Sequence, residues 1–267
     1  MIAATVFAAL AGCSKGGDYA REAKNSSIQE SATLNQVTKS DVIVKSAAGD
    51  IDSALNEFRD LLGNLNVAPG ATSGRREVNW DAVPANLTDN NAFPGNFFGS
   101  FDATLPNGRK RGLIMTTPGS GFSISDDNFF EVNPSYQKQF QTFSPSKTII
   151  AVGSTITDNF FKIPGTNTDA TVQGFGVVFS DVNNSSSTSM EFYNGDVLLG
   201  SFKVPHKGNN TPGSFSFLGV YFPNEKITRV RINSGNAPLG ADQDDISDGS
   251  GKDLVIMDDF IYSEPKL

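Results

Sequence analysis

The chain has 267 residues, of which 19% are charged and 10% aromatic, and its formal net charge is −8. A single Cys and a single His exclude a disulfide framework, a cysteine-based zinc site and most zinc-hydrolase patterns. The acidic balance argues against nucleic acid as a partner, because binding to a phosphate backbone requires clustered positive charge.

The N-terminal segment is an apolar run, residues 2–11, that ends in Leu10-Ala11-Gly12-Cys13. The run is too short to cross a bilayer core of ~30 Å as a helix, but it has the length of a signal-peptide core. The four residues resemble the lipobox of bacterial lipoproteins, in which the signal is cut before the cysteine and the thiol is lipidated. The resemblance implies a signal peptide over residues 1–12 and a membrane anchor at Cys13; the alternative is an apolar terminus with a chance cysteine.

The residues on either side of this run bear on the translation start and on the location of the protein. No Lys or Arg precedes the run, and the first cation is Lys15. The pattern therefore departs from the usual basic start of a signal peptide and suggests that translation begins upstream. Ser14 stands where an Asp commonly retains a lipoprotein at the inner membrane. The resemblance therefore implies an outer-membrane or cell-surface location, with the folded part facing outward or into the periplasm.

The next segments divide into a tether and a helix. Residues 13–40 are polar and lack an apolar period, which predicts a flexible lipidated tether. Residues 41–66 are expected to hold a short strand and an amphipathic helix with an apolar stripe, Asp50 as its N-cap and Gly63 as its stop. The helix is expected to pack on the domain that follows; a partner-binding helix is the alternative.

From residue 75 onward, short β-branched and aromatic runs alternate with Gly, Pro, Asn and Asp clusters. About eleven strands are predicted, and Asn194-Gly195 predicts a hairpin over residues 189–204. Along residues 227–232 apolar residues alternate with Arg229 and Arg231, which places both arginines towards water. We therefore predict an all-β fold over residues 75–264: an antiparallel two-sheet β-sandwich, jelly-roll-like, preceded by one helix and a flexible tether.

Several strings in this region resemble a bacterial family of exported proteins of unknown function. They occur in order and begin with GRREVNWD at residues 74–81. The others are RGL at 111–113, TPG at 117–119, GFGVVFSDV at 174–182, FLGV at 217–220, RVRI at 229–232 and VIMDDFIY at 255–262. A looser likeness, at the level of the fold, is to jelly-roll domains of exported bacterial proteins. Neither resemblance supplies catalytic residues, and a fold alone does not determine function.

Carboxylates supply two candidate sites for a structural Ca²⁺, which prefers oxygen ligands. The first is the acidic loop at residues 241–253, with Asp242, Asp244, Asp245 and Asp248; it lacks the closing Glu of an EF-hand, and a solvated loop is the alternative. The second joins Asp81, after the first strand, to Asp258 or Asp259 on the last. For these residues the alternative is a buried Asp that accepts hydrogen bonds from loop amides.

Aromatic residues inside polar loops supply a candidate ligand site. Phe97, Phe98, Phe129 and Phe130 lie in such loops, where they would either stack on a sugar or close the core as a lid. The only Trp, Trp80, is expected in the core.

Three functions remain open at this level. The first is a non-catalytic surface or periplasmic module that binds a glycan or an envelope protein. The second is a glycoside hydrolase- or lyase-like enzyme, which requires two close carboxylates in a cleft. The third is a purely structural envelope protein.

The lipobox resemblance yields the first prediction. Replacing Cys13 by Ala should abolish labelling by a fatty-acid probe and release the protein from the membrane fraction, because no thiol remains to carry the acyl chains. Unchanged membrane association of the variant would contradict it.

Overall fold

The computed structural model describes residues 42–208 and 212–267. Cys13, the predicted signal peptide and the predicted tether lie outside these residues. Two α-helices and fourteen strands are described: β1 (Ile43–Ala48), α1 (Asp52–Leu62), β2 (Arg75–Val78), β3 (Asn90–Phe93), β4 (Leu113–Thr116), β5 (Gly121–Ser125), α2 (Tyr136–Gln139), β6 (Thr148–Val152), β7 (Ile156–Lys162), β8 (Asp169–Ala170), β9 (Gly174–Ser180), β10 (Ser189–Asn194), β11 (Val197–Lys203), β12 (Phe215–Tyr221), β13 (Arg229–Asn233) and β14 (Ile256–Ser263).

The strands form two antiparallel sheets that pack face to face, so the predicted two-sheet β-sandwich is confirmed. The larger sheet has eight strands in the order β1-β12-β9-β14-β6-β5-β3, with β2 paired to β14. The smaller has six strands in the order β11-β10-β13-β7-β4, with β8 paired to β7. The predicted short strand near residue 41 is β1, an edge strand of the larger sheet that pairs with β12.

The main core fills the space between the two sheets. The larger sheet contributes Phe175, Val177 and Phe179 from β9, and the smaller contributes Val230 and Ile232 from β13. All five are fully buried. The alternation along β13 thus follows the predicted period of two, with the apolar residues inward and the arginines outward.

Helix α1 covers part of the other face of the larger sheet. Its buried residues Leu55, Phe58 and Leu62 pack in one cluster with Val178 and Phe217. Gly63 ends the helix with a φ of 92° and returns its N–H to the carbonyl of Arg59, as its predicted role as a stop requires. The amphipathic helix therefore packs on the sandwich.

Two facing glycines of the larger sheet make room for Phe58, a buried residue of this helix, and we call them the glycine seat. Gly176 on β9 and Gly219 on β12 stand opposite each other, and a Cβ on either would lie within 2.9 Å of the Phe58 ring. The absence of a side chain at both positions lets the ring contact the sheet backbone.

The segment after β5 covers the rest of that face. Phe129, Tyr136 and Phe140 pack on Ile150 of β6 and Ile256 of β14. The larger sheet is therefore buried on both faces. No hydrophobic cluster of the described residues covers the outer face of the smaller sheet.

Burial of Phe58 yields the second prediction. Phe58→Ala should lower the free energy of unfolding by about 3–5 kcal/mol, because it leaves a cavity over the glycine seat. Asn56→Ala, an exposed position of the same helix, should change it by less than about 0.5 kcal/mol. Urea unfolding of both variants is the measurement, and equal effects would contradict the assignment.

Candidate functional site

The outer face of the smaller sheet carries three rows of side chains, set by the strand register. The first row is Ile114, Phe160, Arg229, Tyr193 and Leu198; the second is Thr116, Asp158, Arg231, Glu191 and Ser201; the third is Ile156, Asn233, Ser189 and Lys203. We call this surface the open face. Its first row is amphipathic and its second is charged.

Tyr193 is held in place by two neighbours on the open face. Its hydroxyl donates a 2.6 Å hydrogen bond to Oε2 of Glu191, and the guanidinium of Arg229 lies 4.0 Å from its ring centroid. The hydrogen bond to Glu191 raises the pKa of the Tyr193 phenol above its usual range. The ring therefore keeps its hydroxyl proton and a fixed orientation.

Asp158 organises the second row. Arg231 donates two hydrogen bonds to its carboxylate, at 2.9 and 2.7 Å, and Arg229 adds a contact of 3.4 Å. The hydrogen bonds to Asp158 raise the pKa of Arg231 further. Such bidentate geometry fixes both partners before any ligand arrives.

Concave surface lies at both ends of the open face. Phe160, whose surface is 37% exposed, lines a pocket of about 420 Å³ together with Thr228 and Leu267. A second pocket of about 240 Å³ is lined by Glu191 and Arg231. An exposed ring and fixed polar groups are thus available within one surface.

The aromatic loop residues singled out from the sequence have a different position. Phe97, Phe98 and Phe129 are at most 4% exposed, so they offer no ring face to a ligand and the stacking role predicted for them is corrected to core packing. Phe97 and Phe98 contact each other, and Phe98 also contacts the buried Trp80. Of the four, Phe130 alone remains accessible, at 45%.

The acidic loop does not gather its carboxylates at one point. Asp242, Asp244 and Asp248 are exposed, whereas Asp245 is buried. Asp245 accepts hydrogen bonds from the backbone N–H groups of Ser247 and Leu254, at 2.7 and 2.8 Å. The four candidate acids of the loop thus comprise three that are exposed to solvent and one, Asp245, that is buried and accepts hydrogen bonds from the backbone.

The second predicted calcium set is also divided. Asp81 accepts hydrogen bonds from the Lys147 N–H and the Asn79 amide, at 3.1 and 2.7 Å. The carboxylate oxygens of Asp81, Asp258 and Asp259 do not all lie within 4.8 Å of one another. Loop amides account for Asp81, which is the alternative given above.

Asp258 and Asp259 form a buried acid pair, because a register shift in β14 points both side chains to Ser144. Asp258 also accepts a 2.6 Å hydrogen bond from the Phe143 N–H, and Asp259 lies 3.5 Å from the guanidinium of Arg59. Burial, together with the charge of Asp259, raises the pKa of Asp258 to about 9. Burial raises the pKa of Asp259 as well, so the two acids share one proton, and Arg59 compensates the remaining charge.

A further acidic group was missed by the sequence reasoning. Asp89, Asp127 and Glu131 bring one oxygen each within 4.8 Å of one another on the surface. Partial burial, with the neighbouring charges of Asp89 and Asp127, raises the pKa of Glu131 to about 7. No local sequence pattern marks this group, since Asp89 is distant in the chain from the other two.

Comparison with known proteins adds no identification. No family model, curated protein or solved structure matches this chain. The family resemblance of the sequence strings therefore stays a prediction. Neither described helix has the length and apolar character that a membrane crossing requires.

The acid pair yields the third prediction. Between about pH 4 and 9 the unfolded chain loses the Asp258 proton while the folded chain keeps it, so this group lowers the free energy of unfolding as pH rises, by at most about 1.4 kcal/mol per pH unit. Asp258→Asn should flatten this dependence, because the amide carries no titrating proton.

Urea unfolding at pH 5, 7 and 9 measures the effect. Asp242→Asn, at an exposed acid, is the matched control and should keep the wild-type slope. An Asp258→Asn slope equal to that of the wild type would contradict the assignment of the proton.

Proposed function

We propose that the protein is a non-catalytic binding module that holds a glycan on the open face. The observation that carries the proposal is the exposed Phe160 ring beside the prearranged polar groups of Tyr193, Glu191, Arg231 and Asp158. Binding sites combine apolar or aromatic surface with a few fixed polar groups.

Sugar chemistry fits the first two rows of the open face. The apolar C–H face of a pyranose packs on an aromatic ring, for which Phe160 is available. Sugar hydroxyls both donate and accept, which suits the carboxylate of Glu191 and the guanidinium of Arg231. Because these side chains are already paired, little rotamer entropy is lost on binding.

An envelope protein is the alternative ligand. Protein interfaces usually have an apolar centre with charges at the rim. On the open face charged residues occupy the middle row, which favours a hydroxyl-rich ligand over a protein surface.

A non-catalytic role fits the positions of the carboxylates. A glycosidase needs an acid with a raised pKa and a second carboxylate in one cleft. Asp158 on the open face is paired with two arginines, and Asp258, whose pKa is raised, is fully buried against Phe143 and Ser144. The observation that favours the enzyme alternative is Glu131 beside Asp89 and Asp127, away from the open face.

The proposed location follows the lipobox resemblance. A lipid anchor at Cys13 and a tether over residues 13–40 would hold the sandwich at the outer membrane or cell surface, where envelope or external glycans occur. A net charge of −8 argues against a nucleic-acid partner.

Substitutions on the open face yield the fourth prediction. Phe160→Ala and Tyr193→Ala should each weaken binding to soluble polysaccharides at least about tenfold, because each removes ring area or fixed hydrogen bonding. Affinity electrophoresis against neutral β-glucan, xylan and galactomannan and against anionic alginate is the measurement.

The controls use other exposed phenylalanines. Phe101→Ala should bind like the wild type, since Phe101 is exposed but lies outside the three rows. Loss of binding in Phe130→Ala but not in Phe160→Ala would move the site to the loop. Release of shorter sugars by the wild type but not by Glu131→Gln would favour the enzyme.

A further inference from the structure

The two pockets of the open face lie towards opposite ends of the same strand. Phe160 lines the pocket of about 420 Å³, which we call the Phe160 pocket. Ile156 and Glu191 line the pocket of about 240 Å³, which we call the Glu191 pocket. Phe160 and Ile156 both belong to β7 and are four residues apart, so they point to the same side of the sheet. Since a strand rises about 3.3–3.4 Å per residue, the two positions are separated by about 13 Å.

Strand β13 connects the two pockets in the same direction. Thr228, just before β13, lines the Phe160 pocket, and Asn233, the last residue of β13, lines the Glu191 pocket. The register between β7 and β13 places Arg229 opposite Phe160 and Asn233 opposite Ile156. The path from one pocket to the other therefore runs along the strands.

This path crosses the second row of the open face. Arg231 and Asp158 stand opposite each other between the two pockets, and their bidentate pair is fixed. The side chain of Arg231 is still 35% exposed, and it also lines the Glu191 pocket. A ligand that follows the path thus passes over an accessible guanidinium whose position is already set.

The hydrogen bonds within the open face use only part of its polar groups. Arg231 donates to Asp158 through Nε and Nη2, and Glu191 accepts the Tyr193 hydroxyl at Oε2. Within the part of the chain that the structure describes, Nη1 of Arg231 and Oε1 of Glu191 form no hydrogen bond. A donor and an acceptor are therefore left beside the Glu191 pocket. Two sugar hydroxyls, one accepting and one donating, match them.

We propose that the open face binds an extended stretch of a linear polysaccharide, which runs along β7 from the Phe160 pocket to the Glu191 pocket. One sugar ring packs on Phe160, and the hydroxyls of another unit bind Glu191 and Arg231. The inference rests on the proposed function and adds the ligand class, which is a chain of several linked units rather than a single sugar. A single sugar occupies one pocket only, because its ring is shorter than the separation of about 13 Å.

Linkage of the two contacts supplies the affinity. Each pocket alone offers one ring or a few polar atoms, so a single sugar should bind weakly. Once one unit of a chain is bound, the contact in the other pocket becomes intramolecular and is favoured by a high effective concentration. Affinity should therefore rise with chain length until both pockets are occupied, and then stay constant.

Calorimetric titration of the full chain tests this length dependence. The probes are β-gluco-, xylo-, manno- and alginate-derived oligosaccharides, from the single sugar to about six units, a length that exceeds the span of about 13 Å. In the series whose parent polysaccharide binds in affinity electrophoresis, the Kd should fall at least about tenfold between the single sugar and the spanning length.

One variant and one matched control locate the second contact. Glu191→Ala should bind the longest oligosaccharide no more tightly than the single sugar, because the Glu191 pocket loses its acceptor. Asp242→Ala, at an exposed acid outside the open face, should keep the wild-type gain with length. Equal urea midpoints for both variants and the wild type would show that the loss does not come from unfolding.

The outcomes separate this inference from the proposed function. A polysaccharide that binds with a Kd independent of oligosaccharide length, or a gain with length that survives in Glu191→Ala, would overturn the extended site and leave glycan binding standing. Failure of all four polysaccharides to bind would overturn both.

Discussion

The structure depends on one constraint, which is that the central strands of the larger sheet are apolar on both faces. Strand β9 is buried at each of its positions. One face is covered by the smaller sheet, and the other by α1 and the segment that carries Phe129 and Tyr136. The close approach of α1 needs the glycine seat at Gly176 and Gly219, because a Cβ there would meet the ring of Phe58. With three layers built in this way, the open face is the sheet surface left uncovered within the described residues.

The same double covering explains why acids are buried at the ends of the central strands. Asp181 follows β9, and Asp258 and Asp259 lie at the irregularity of β14, where chain from other elements still covers them. The two groups of buried acids differ in whether a positively charged side chain lies beside them. Asp259 has Arg59 at 3.5 Å, so the pair is neutralised by one proton and one guanidinium. Asp181 and Asp245 have amides instead, which donate hydrogen bonds but bring no positive charge.

Sequence reasoning succeeded where the signal is local and periodic. The helix over α1, the hairpin β10–β11 and the outward arginines of β13 follow from spacing, the Gly63 stop and an Asn-Gly turn. The predicted N-cap Asp50 was wrong, because Ile51 holds that position and no side chain caps the helix. It missed β3, half of whose four residues are Asn, and β8, which has only two residues. It misassigned Phe97 and Phe98 because an aromatic residue in a polar loop has the same local pattern whether it faces a ligand or closes the core. The proximity of Asp181 and Asp245 could not be predicted from the sequence either, because it arises only when loops that are distant in the chain pack together.

The open face and the buried acid Asp181 are connected by one short stretch of chain. Asp181 and Asn183 begin the segment that leads into β10, and β10 carries Glu191 and Tyr193 of the open face. The carbonyl of Ser187 in this segment accepts a 3.0 Å hydrogen bond from Asn233, which belongs to the third row. This hydrogen bond holds the end of β10 in register with β13, so the packing that buries Asp181 also orders the edge of the open face.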